Sequence, residues 1–278
     1  MTVEKKLIDA AMCDDLAEVQ ALLRDHPGLD INWQGDDNTA LHLASYCGFI
    51  EIVKVLLAHP AIDVNSRNLY GSTPFLEGCY SGKLPVVRVL LKDPRVDVTL
   101  SADNGGTPLW YLSSCGHFDA LEWLIASGRD LGDVKNKKGN DRGNEYTSLE
   151  IARKIQSMEV VSLLERFVAN PAQTRHELRV KLGVLDELAA ENFALVVFLC
   201  DGLLQLKPTS NLVAPDTAAA ATSRFFTIVK RLPMELQMML CHRAVGSRKW
   251  NIRREGSEAA FKSLAFKSLA RILLPSPE

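Results

Sequence analysis

The chain has 278 residues, of which 47% are hydrophobic and 24% are charged, a composition that is typical of folded proteins and excludes intrinsic disorder. Residues 1–170 carry 17 basic against 24 acidic side chains, a net charge of −7, whereas residues 171–278 carry 15 against 10, a net charge of +5. This charge asymmetry is expected either when the two halves of the chain bind separate partners or when the two halves attract each other. The longest apolar run, at 193–200, is too short to cross a bilayer.

The cysteines of the chain are widely spaced and include no Cys-x-x-Cys pair, which argues against a zinc site or a redox motif. We therefore expect free thiols in a reducing compartment. The first residues are charged and form no hydrophobic signal region. These features predict a cytoplasmic protein and leave a nuclear location open.

A motif led by threonine recurs along the chain. Its copies are Thr39-Ala-Leu-His-Leu-Ala, Thr73-Pro-Phe-Leu-Glu-Gly, Thr107-Pro-Leu-Trp-Tyr-Leu and Thr147-Ser-Leu-Glu-Ile-Ala, with the threonines 34, 34 and 40 residues apart. A glycine stands nine residues after each of the first three threonines, and apolar stretches of helical period follow it. Threonine caps a helix, proline suits its first turn and glycine ends it. Each copy therefore predicts a pair of helices, which must stack on its neighbours to bury its apolar face.

These signals, which recur in phase, resemble the ankyrin repeat family. The resemblance implies an all-α fold, in which residues 1–170 form a helical solenoid with an N-terminal cap at about 3–33, three repeats from about 34, 68 and 102, and a degenerate fourth that ends near Asn170. Asp37 stands where the family places a turn glycine, and we expect it at positive φ. Leu76 and Trp110 replace the family's histidine, which fixes neighbouring turns, so we expect the second and third repeats to be less regular.

The last repeat contains extra residues in a segment rich in glycine, asparagine and lysine, at 132–146. Because glycine and asparagine favour turns, one interpretation is an exposed, loosely ordered loop. The other interpretation is a basic binding loop centred on Lys135, Lys137, Lys138 and Arg142.

Residues 171–278 lack the repeat and predict an α-helical region. Thr174-Arg-His-Glu177 has the form of a capping box that begins a helix. Helical patterns follow at 178–206, 217–231, 233–244 and 258–274, with a loop at 208–216. We expect this region either to cover the exposed face of the last repeat or to act as an independent module.

Two segments of the helical region offer alternative functions. Arg231-Leu-Pro-Met-Glu-Leu resembles the opening of F-box-type modules, which attach substrate adaptors to ubiquitin ligases, although an amphipathic helix that begins at proline is the preferred interpretation. The basic segment at 243–254, which includes Trp250, has a composition that suits nucleic-acid binding, although a solvated surface, or one docked on the acidic repeats, is preferred there.

No nucleotide-binding, hydrolase or metalloprotease motif occurs in the sequence, so we expect a protein that is not an enzyme and has no cofactor or metal site. The ankyrin resemblance implies instead that the partner is another protein, bound by the concave face through the hairpin tips and the outward positions of the inner helices. We expect no membrane, no nucleic acid and no small-molecule substrate. The competing hypothesis is an adaptor whose repeats select a client and whose helical region recruits other machinery.

The predicted contact surface contains most of the chain's tyrosines, a residue type that dominates interface energetics. For each of these tyrosines the alternative is packing between adjacent repeats. The predicted contact residues are Trp33, Asp36, Asn38, Leu43, Tyr46, Leu69, Tyr70, Ser72, Glu77, Tyr80, Asp103, Asn104, Tyr111 and Ser114.

Overall fold

The computed structural model describes residues 2–35, 37–200, 225–229, 231–247, 249, 252, 257–258 and 260–261. These residues belong to two compact units, Met1–Leu178 and Arg179–Pro275. The predicted loop at 208–216 and most of the predicted helices at 217–231 and 258–274 lie outside the described residues.

Among the described residues of the first unit, ten helices form five pairs, each with an inner and an outer helix. Inner helices contact the inner helices of the neighbouring pairs and outer helices contact outer ones, which gives two layers. This arrangement confirms the predicted all-α repeat solenoid of a cap and four repeats. The pairs are α1 Val3–Met12 with α2 Leu16–Asp25, α3 Ala40–Cys47 with α4 Ile50–Ala58, α5 Pro74–Tyr80 with α6 Leu84–Lys92, α7 Pro108–Ser114 with α8 Phe118–Ala126, and α9 Ser148–Lys154 with α10 Met158–Ala169.

A threonine hydroxyl caps each of these inner helices. The hydroxyls of Thr39, Thr73, Thr107 and Thr147 accept a hydrogen bond from the backbone amide three residues later, at 3.4, 3.3, 3.2 and 3.3 Å. Thr2 caps α1 in the same way at 3.3 Å, although no Pro-Leu-His follows it in the sequence. Each cap pairs an amide that would otherwise lack a partner, which stabilises its helix by about 1 kcal/mol.

The turn between inner and outer helix requires a left-handed backbone. Gly48, Gly82 and Gly116 adopt it with φ of 94°, 66° and 71°, as their recurrence predicts. Gln156 occupies the equivalent turn of the last pair with φ of 62°, a conformation that costs more for a residue with a Cβ atom. Asp37, in the hairpin tip of the first repeat, has φ of 67°, so the prediction of positive φ there is confirmed.

Apolar side chains from both helices of each pair fill the space between the two layers. Burying one such side chain completely stabilises the fold by roughly 1.5–3 kcal/mol. Because each apolar stripe is covered mainly by the neighbouring pair, stability comes from the contacts between repeats. Fully buried members of this core include Leu41, Ile52, Leu56, Leu76, Leu90, Leu112, Leu121, Leu124 and Ile151.

Asparagine side chains add a polar connection between successive repeats. Asn32 donates to the carbonyl of Ala61 and accepts from the amide of Asp63, both at 2.8 Å. Asn65 makes the equivalent pair of bonds one repeat further along, also at 2.8 Å. These bonds fix the spacing of neighbouring repeats in addition to the apolar contacts.

The segment at 132–146 contributes to a β-hairpin, formed by β1 Lys138–Asp141 and β2 Asn144–Thr147. Arg142 and Gly143 form its two-residue turn with φ of 53° and 87°, the backbone of a type I′ turn. The amide of Asn140 donates to the Asn104 carbonyl at 2.8 Å, which docks the hairpin on the preceding repeat. The expectation of a loosely ordered loop is therefore wrong for this hairpin.

Helix α11, Pro171–Lys181, begins earlier than the predicted capping box. The side chain of Asn170 accepts from the amide of Gln173 at 3.1 Å and so caps the helix. Thr174 is buried within the helix, and its hydroxyl donates to a backbone carbonyl of α10 at 3.0 Å. The capping-box prediction at Thr174 is therefore wrong, and the compact repeat unit extends to Leu178.

The second unit contains α12 Val184–Cys200 and α13 Met234–Ala244, which pack against each other, together with helical residues at 225–229. The predicted helix at 233–244 is thus confirmed. None of the described helices is long and apolar enough to cross a membrane. The unit has a core of its own, whose buried members are Phe193, Val196, Phe226, Val229 and Cys241.

Candidate functional site

A row of aromatic rings runs along the inner helices of the three central repeats. The rings of Tyr46 and Tyr80 are nearly parallel, with centroids 6.5 Å apart and an interplanar angle of 23°. Tyr80 meets Tyr111 edge to face at 5.8 Å, and Tyr111 meets Trp110 in the same way at 5.2 Å. We call Tyr46, Tyr80 and Tyr111 the tyrosine ladder.

The repeat itself places the ladder residues side by side. Tyr46 and Tyr80 each follow the capping threonine of their helix by seven residues, so stacking of the repeats brings equivalent positions together. Tyr46 is 47% exposed and Tyr80 is 50% exposed. Each ring therefore packs on its neighbour and still exposes about half of its surface.

Hydrogen bonds hold the ladder at its edges. The Tyr111 hydroxyl donates to the Asn104 side-chain oxygen at 3.1 Å, and burial raises the pKa of this phenol. His117 Nε2 donates to the carbonyl of Tyr80 at 3.1 Å, which ties the end of α5 to the next repeat. The ladder is thus preorganised before any partner arrives.

The tip of the second repeat exposes two large apolar side chains. Leu69 is 65% exposed and Tyr70 is 71% exposed. The side-chain oxygen of Asn68 accepts from the amides of Tyr70 and Ser72 at 3.0 and 2.9 Å, which forms the tip. The Tyr70 carbonyl then accepts from the amide of Asp103 at 3.0 Å, which links this tip to the next one.

Ser72 does not belong to the exposed surface. Its side chain is buried, and its carbonyl accepts from His42 Nε2 at 3.0 Å. Its amide donates to the Asn68 side chain at 2.9 Å, and its side chain opposes the rise that burial causes in the pKa of Glu77. We therefore correct its predicted role from partner contact to support of the tip.

The other predicted residues fall into two groups. Leu43, Glu77 and Ser114 are half-buried on the inner helices, and the Ser114 hydroxyl donates to the Tyr111 carbonyl at 3.1 Å. Near the tips, Asn38 accepts from Asn68 at 3.1 Å and Asp103 accepts from Arg67 at 3.4 Å. Asn104 is exposed and Trp33 is half-buried. Asp36 lies outside the described residues.

Two side chains that the sequence did not mark as important organise the site. Asn68 is 8% exposed and donates to both Asn38 and Glu77, at 3.1 Å each. Its position two residues before the tip is typical of an asparagine that caps a turn. Trp110 Nε1 donates to the Tyr146 carbonyl at 2.9 Å, so it supplies the bond to the next repeat that His42 supplies in the first. The expected irregularity of the third repeat is thus offset by the indole.

The basic loop hypothesis places Lys135, Lys137, Lys138 and Arg142 on the exposed surface, as the structure also does. Carboxylates accompany them: Asp133 accepts from the Lys135 amide, and Asp141 forms an ion pair with Lys154 at 2.7 Å. The surface of the hairpin therefore carries mixed charge, which suits solvent better than a polyanion.

Stacked helix pairs with an exposed aromatic row define a helical repeat protein. Residues 7–102 match the family model of ankyrin repeats, in three copies. A stretch of 123 residues, 44% of this chain, is 38% identical to the E3 ubiquitin-protein ligase XBAT32 of Arabidopsis thaliana and covers 24% of that protein. The chain thus carries ankyrin repeats, which are protein-interaction modules, and it spans about a quarter of the length of this relative.

Proposed function

We propose that this chain is a non-enzymatic module that binds a partner protein on the concave face and hairpin tips of its ankyrin repeats. The tyrosine ladder, with the exposed tip residue Tyr70, is the observation that supports this proposal. Tyrosines bury a large area on binding and keep a polar hydroxyl satisfied. Because the rings already stack on one another, little side-chain entropy is lost when a partner covers them.

The thiols support a role without covalent chemistry. Burial raises the pKa of Cys79 well above the ordinary value and that of Cys241 to about 12. Burial also raises the pKa of Cys115, which stands close to the ladder in sequence. Protonated thiols are poor nucleophiles, so the buried Cys79 and Cys241 suit packing better than catalysis.

The decisive test is the double substitution Tyr46→Ala plus Tyr80→Ala. Partner proteins are captured from a cell extract on the immobilised wild-type chain and identified, and the affinity of one purified partner is then measured for each variant. We expect the double variant to bind at least about tenfold more weakly, since truncated interface tyrosines typically cost about 2 kcal/mol. Its thermal unfolding should remain cooperative.

The matched control removes exposed apolar side chains from the last repeat instead. Ile155 is 41% exposed and Met158 is 70% exposed, and both lie outside the ladder. Ile155→Ala plus Met158→Ala should bind the partner as the wild type does. An unfolded ladder variant would show that the tyrosines are structural, and equal losses in both double variants would remove the concave face from the proposal.

The adaptor hypothesis has one observation in its favour, the separate core of the second unit. A region with its own core is able to fold alone and to bring a second protein to a client of the repeats. The fragment 171–278 should then give a cooperative melt and bind a protein that the repeats do not bind. Aggregation of this fragment would count against the adaptor.

The proposed partner is another protein rather than nucleic acid. Of the basic segment at 243–254, Lys249 forms an ion pair with Asp186, and the repeats carry a net negative charge that repels phosphates. The cytoplasm is the proposed location, with the nucleus as the alternative. A gel shift on DNA or RNA at low salt would contradict the choice of partner.

A further inference from the structure

Glu77 is a carboxylate that neutral groups hold in place on the concave face. It lies on α5 three residues before Tyr80, so the two side chains share one face of the helix. Asn68 donates to it at 3.1 Å, and Ser72 lies close enough to oppose the rise that burial causes in its pKa. Among the described residues, no lysine or arginine forms an ion pair with it.

The environment of Glu77 leaves its charge incompletely solvated. Partial burial raises its pKa, and the side chains of Ser72 and Asn68 oppose that effect only in part. A buried carboxylate gains most from a cation that replaces the lost water. Glu77 thus has a neutral donor in Asn68 and an unmet preference for positive charge.

Two members of the tyrosine ladder, Tyr80 and Tyr111, lie near this carboxylate. Glu77 and Tyr80 both contribute to the raised pKa of Tyr111, after burial, which places the three groups within electrostatic reach of one another. Tyr80 lies between Tyr46 and Tyr111 in the row. The face of a tyrosine ring attracts a guanidinium or ammonium group.

Exposed acidic side chains lie at the tips of the repeats that carry the ladder. Asp37 and Asp103 are exposed at the tips of the first and third repeats. The guanidinium of Arg67, at the second tip, is engaged by the Ser101 carbonyl at 2.9 Å and by Asp103. Lys83 contacts Gly48 through its methylene groups, at the turn between the helices. With a net charge of −7 over residues 1–170, the surface complements a basic partner.

We propose that Glu77 and the tyrosine ladder form a subsite for an arginine side chain of the partner protein. The guanidinium stacks on a tyrosine ring and donates to the Glu77 carboxylate, two contacts that its planar fork makes together. The ammonium group of lysine is a more strongly hydrated point charge and has no plane to stack. This inference rests on the proposed function and specifies which side chain of the partner occupies the face.

The test uses the full chain, labelled with 3-fluorotyrosine, and a short peptide of repeated Gly-Ser-Arg. Fluorine NMR follows the tyrosines, which are assigned by single Tyr→Phe variants, at constant ionic strength. Addition of the peptide should shift the resonances of Tyr46, Tyr80 and Tyr111 and leave that of Tyr146 in place. The matched peptide, in which citrulline replaces arginine, keeps the shape without the charge and should cause no such shift.

Two variants separate the carboxylate from general attraction. Glu77→Gln should lower the affinity for the arginine peptide about tenfold, because the hydrogen bond to a charged carboxylate is lost. Glu51→Gln removes the same charge from the outer helix α4, where Glu51 pairs with Lys54 at 2.7 Å, and should leave the affinity unchanged. Thermal melts of both variants establish that each is folded.

Three results would overturn the arginine subsite. The first is a citrulline peptide, or a matched peptide with lysine, that binds as tightly as the arginine peptide. The others are equal losses of affinity in Glu77→Gln and Glu51→Gln, or fluorine shifts that spare the ladder. The proposed function has its own test with the captured partner. If Tyr46→Ala plus Tyr80→Ala abolishes capture while Glu77→Gln does not, the concave face binds the partner and the arginine assignment is wrong. If neither substitution affects capture, both proposals fail.

Discussion

Burial of the His42 ring predicts that the protein loses stability in mild acid. The ring accepts from the Thr39 hydroxyl at Nδ1, at 2.8 Å, and donates from Nε2 to the Ser72 carbonyl at 3.0 Å. Both bonds fit the neutral ring with its proton on Nε2. Burial lowers the pKa of His42 from 6.5 to about 4, although bonds to backbone carbonyls oppose this effect. In mild acid the unfolded chain therefore binds a proton at His42 that the folded chain does not bind.

The size of the effect follows from the two pKa values. Above pH 6.5 both states are neutral at this site, so the difference is negligible. Between pH 6.5 and about 4 only the unfolded state binds the proton, and the free energy of unfolding falls by about 1.4 kcal/mol per pH unit. From pH 7.5 to pH 5 the loss from His42 alone is about 2 kcal/mol. Below pH 4 both states are protonated and the loss stops growing.

Urea denaturation at pH 7.5 and pH 5 measures this loss. In His42→Gln the side chain does not titrate, so its stability should fall by about 2 kcal/mol less than that of the wild type between the two pH values. His26→Gln, which changes an exposed histidine, should keep the wild-type dependence. If His42→Gln retains the full loss, or if NMR titration of the folded chain finds His42 protonated near pH 6.5, the reasoning is refuted.

Three further features are tested by substitution, with thermal and urea unfolding as the measurement. Gln156→Gly should stabilise the protein by up to about 1 kcal/mol because it relieves positive φ, and Gly116→Gln should destabilise it by a similar amount; changes of the same sign would contradict this. Trp110→Phe should cost about 1–3 kcal/mol because the Tyr146 carbonyl loses its donor, and a neutral result would show that water replaces the indole. Gly139→Ala places a Cβ atom 2.7 Å from the Trp110 ring and should cost about 1–3 kcal/mol, whereas Gly28→Ala, with open space around it, should cost far less; equal effects would refute this packing.

The solenoid was predictable because its repeated unit depends on local chemistry. Threonine caps, left-handed glycines and the apolar period lie within about ten residues of one another, so they are visible without tertiary information. The same phase also predicted that Tyr46 and Tyr80 occupy equivalent inner positions. Their stacking needed only the rule that neighbouring repeats superimpose.

The rest depends on contacts between residues far apart in the chain. Ser72 was expected at the surface because tips are exposed, but bonds from His42 and to Asn68 turn it inward. The hairpin strand Lys138–Asp141 lacks the apolar alternation of a typical strand, and its stability comes from Asn104 and from the Trp110 ring. Composition alone could not reveal the residues that contact Ser72 or the hairpin.

The bonds that hold the repeats together also shape the binding face. The His117 bond to the Tyr80 carbonyl joins the second and third repeats, and the row from Tyr46 to Tyr111 crosses three repeats. In a solenoid, stability is a sum of repeat and interface contributions. A partner that covers the ladder adds a contact to each of these repeats and to both interfaces between them. Under the proposed function, its binding energy would therefore also oppose separation of the central repeats, which would link recognition of the partner to the stability of the solenoid.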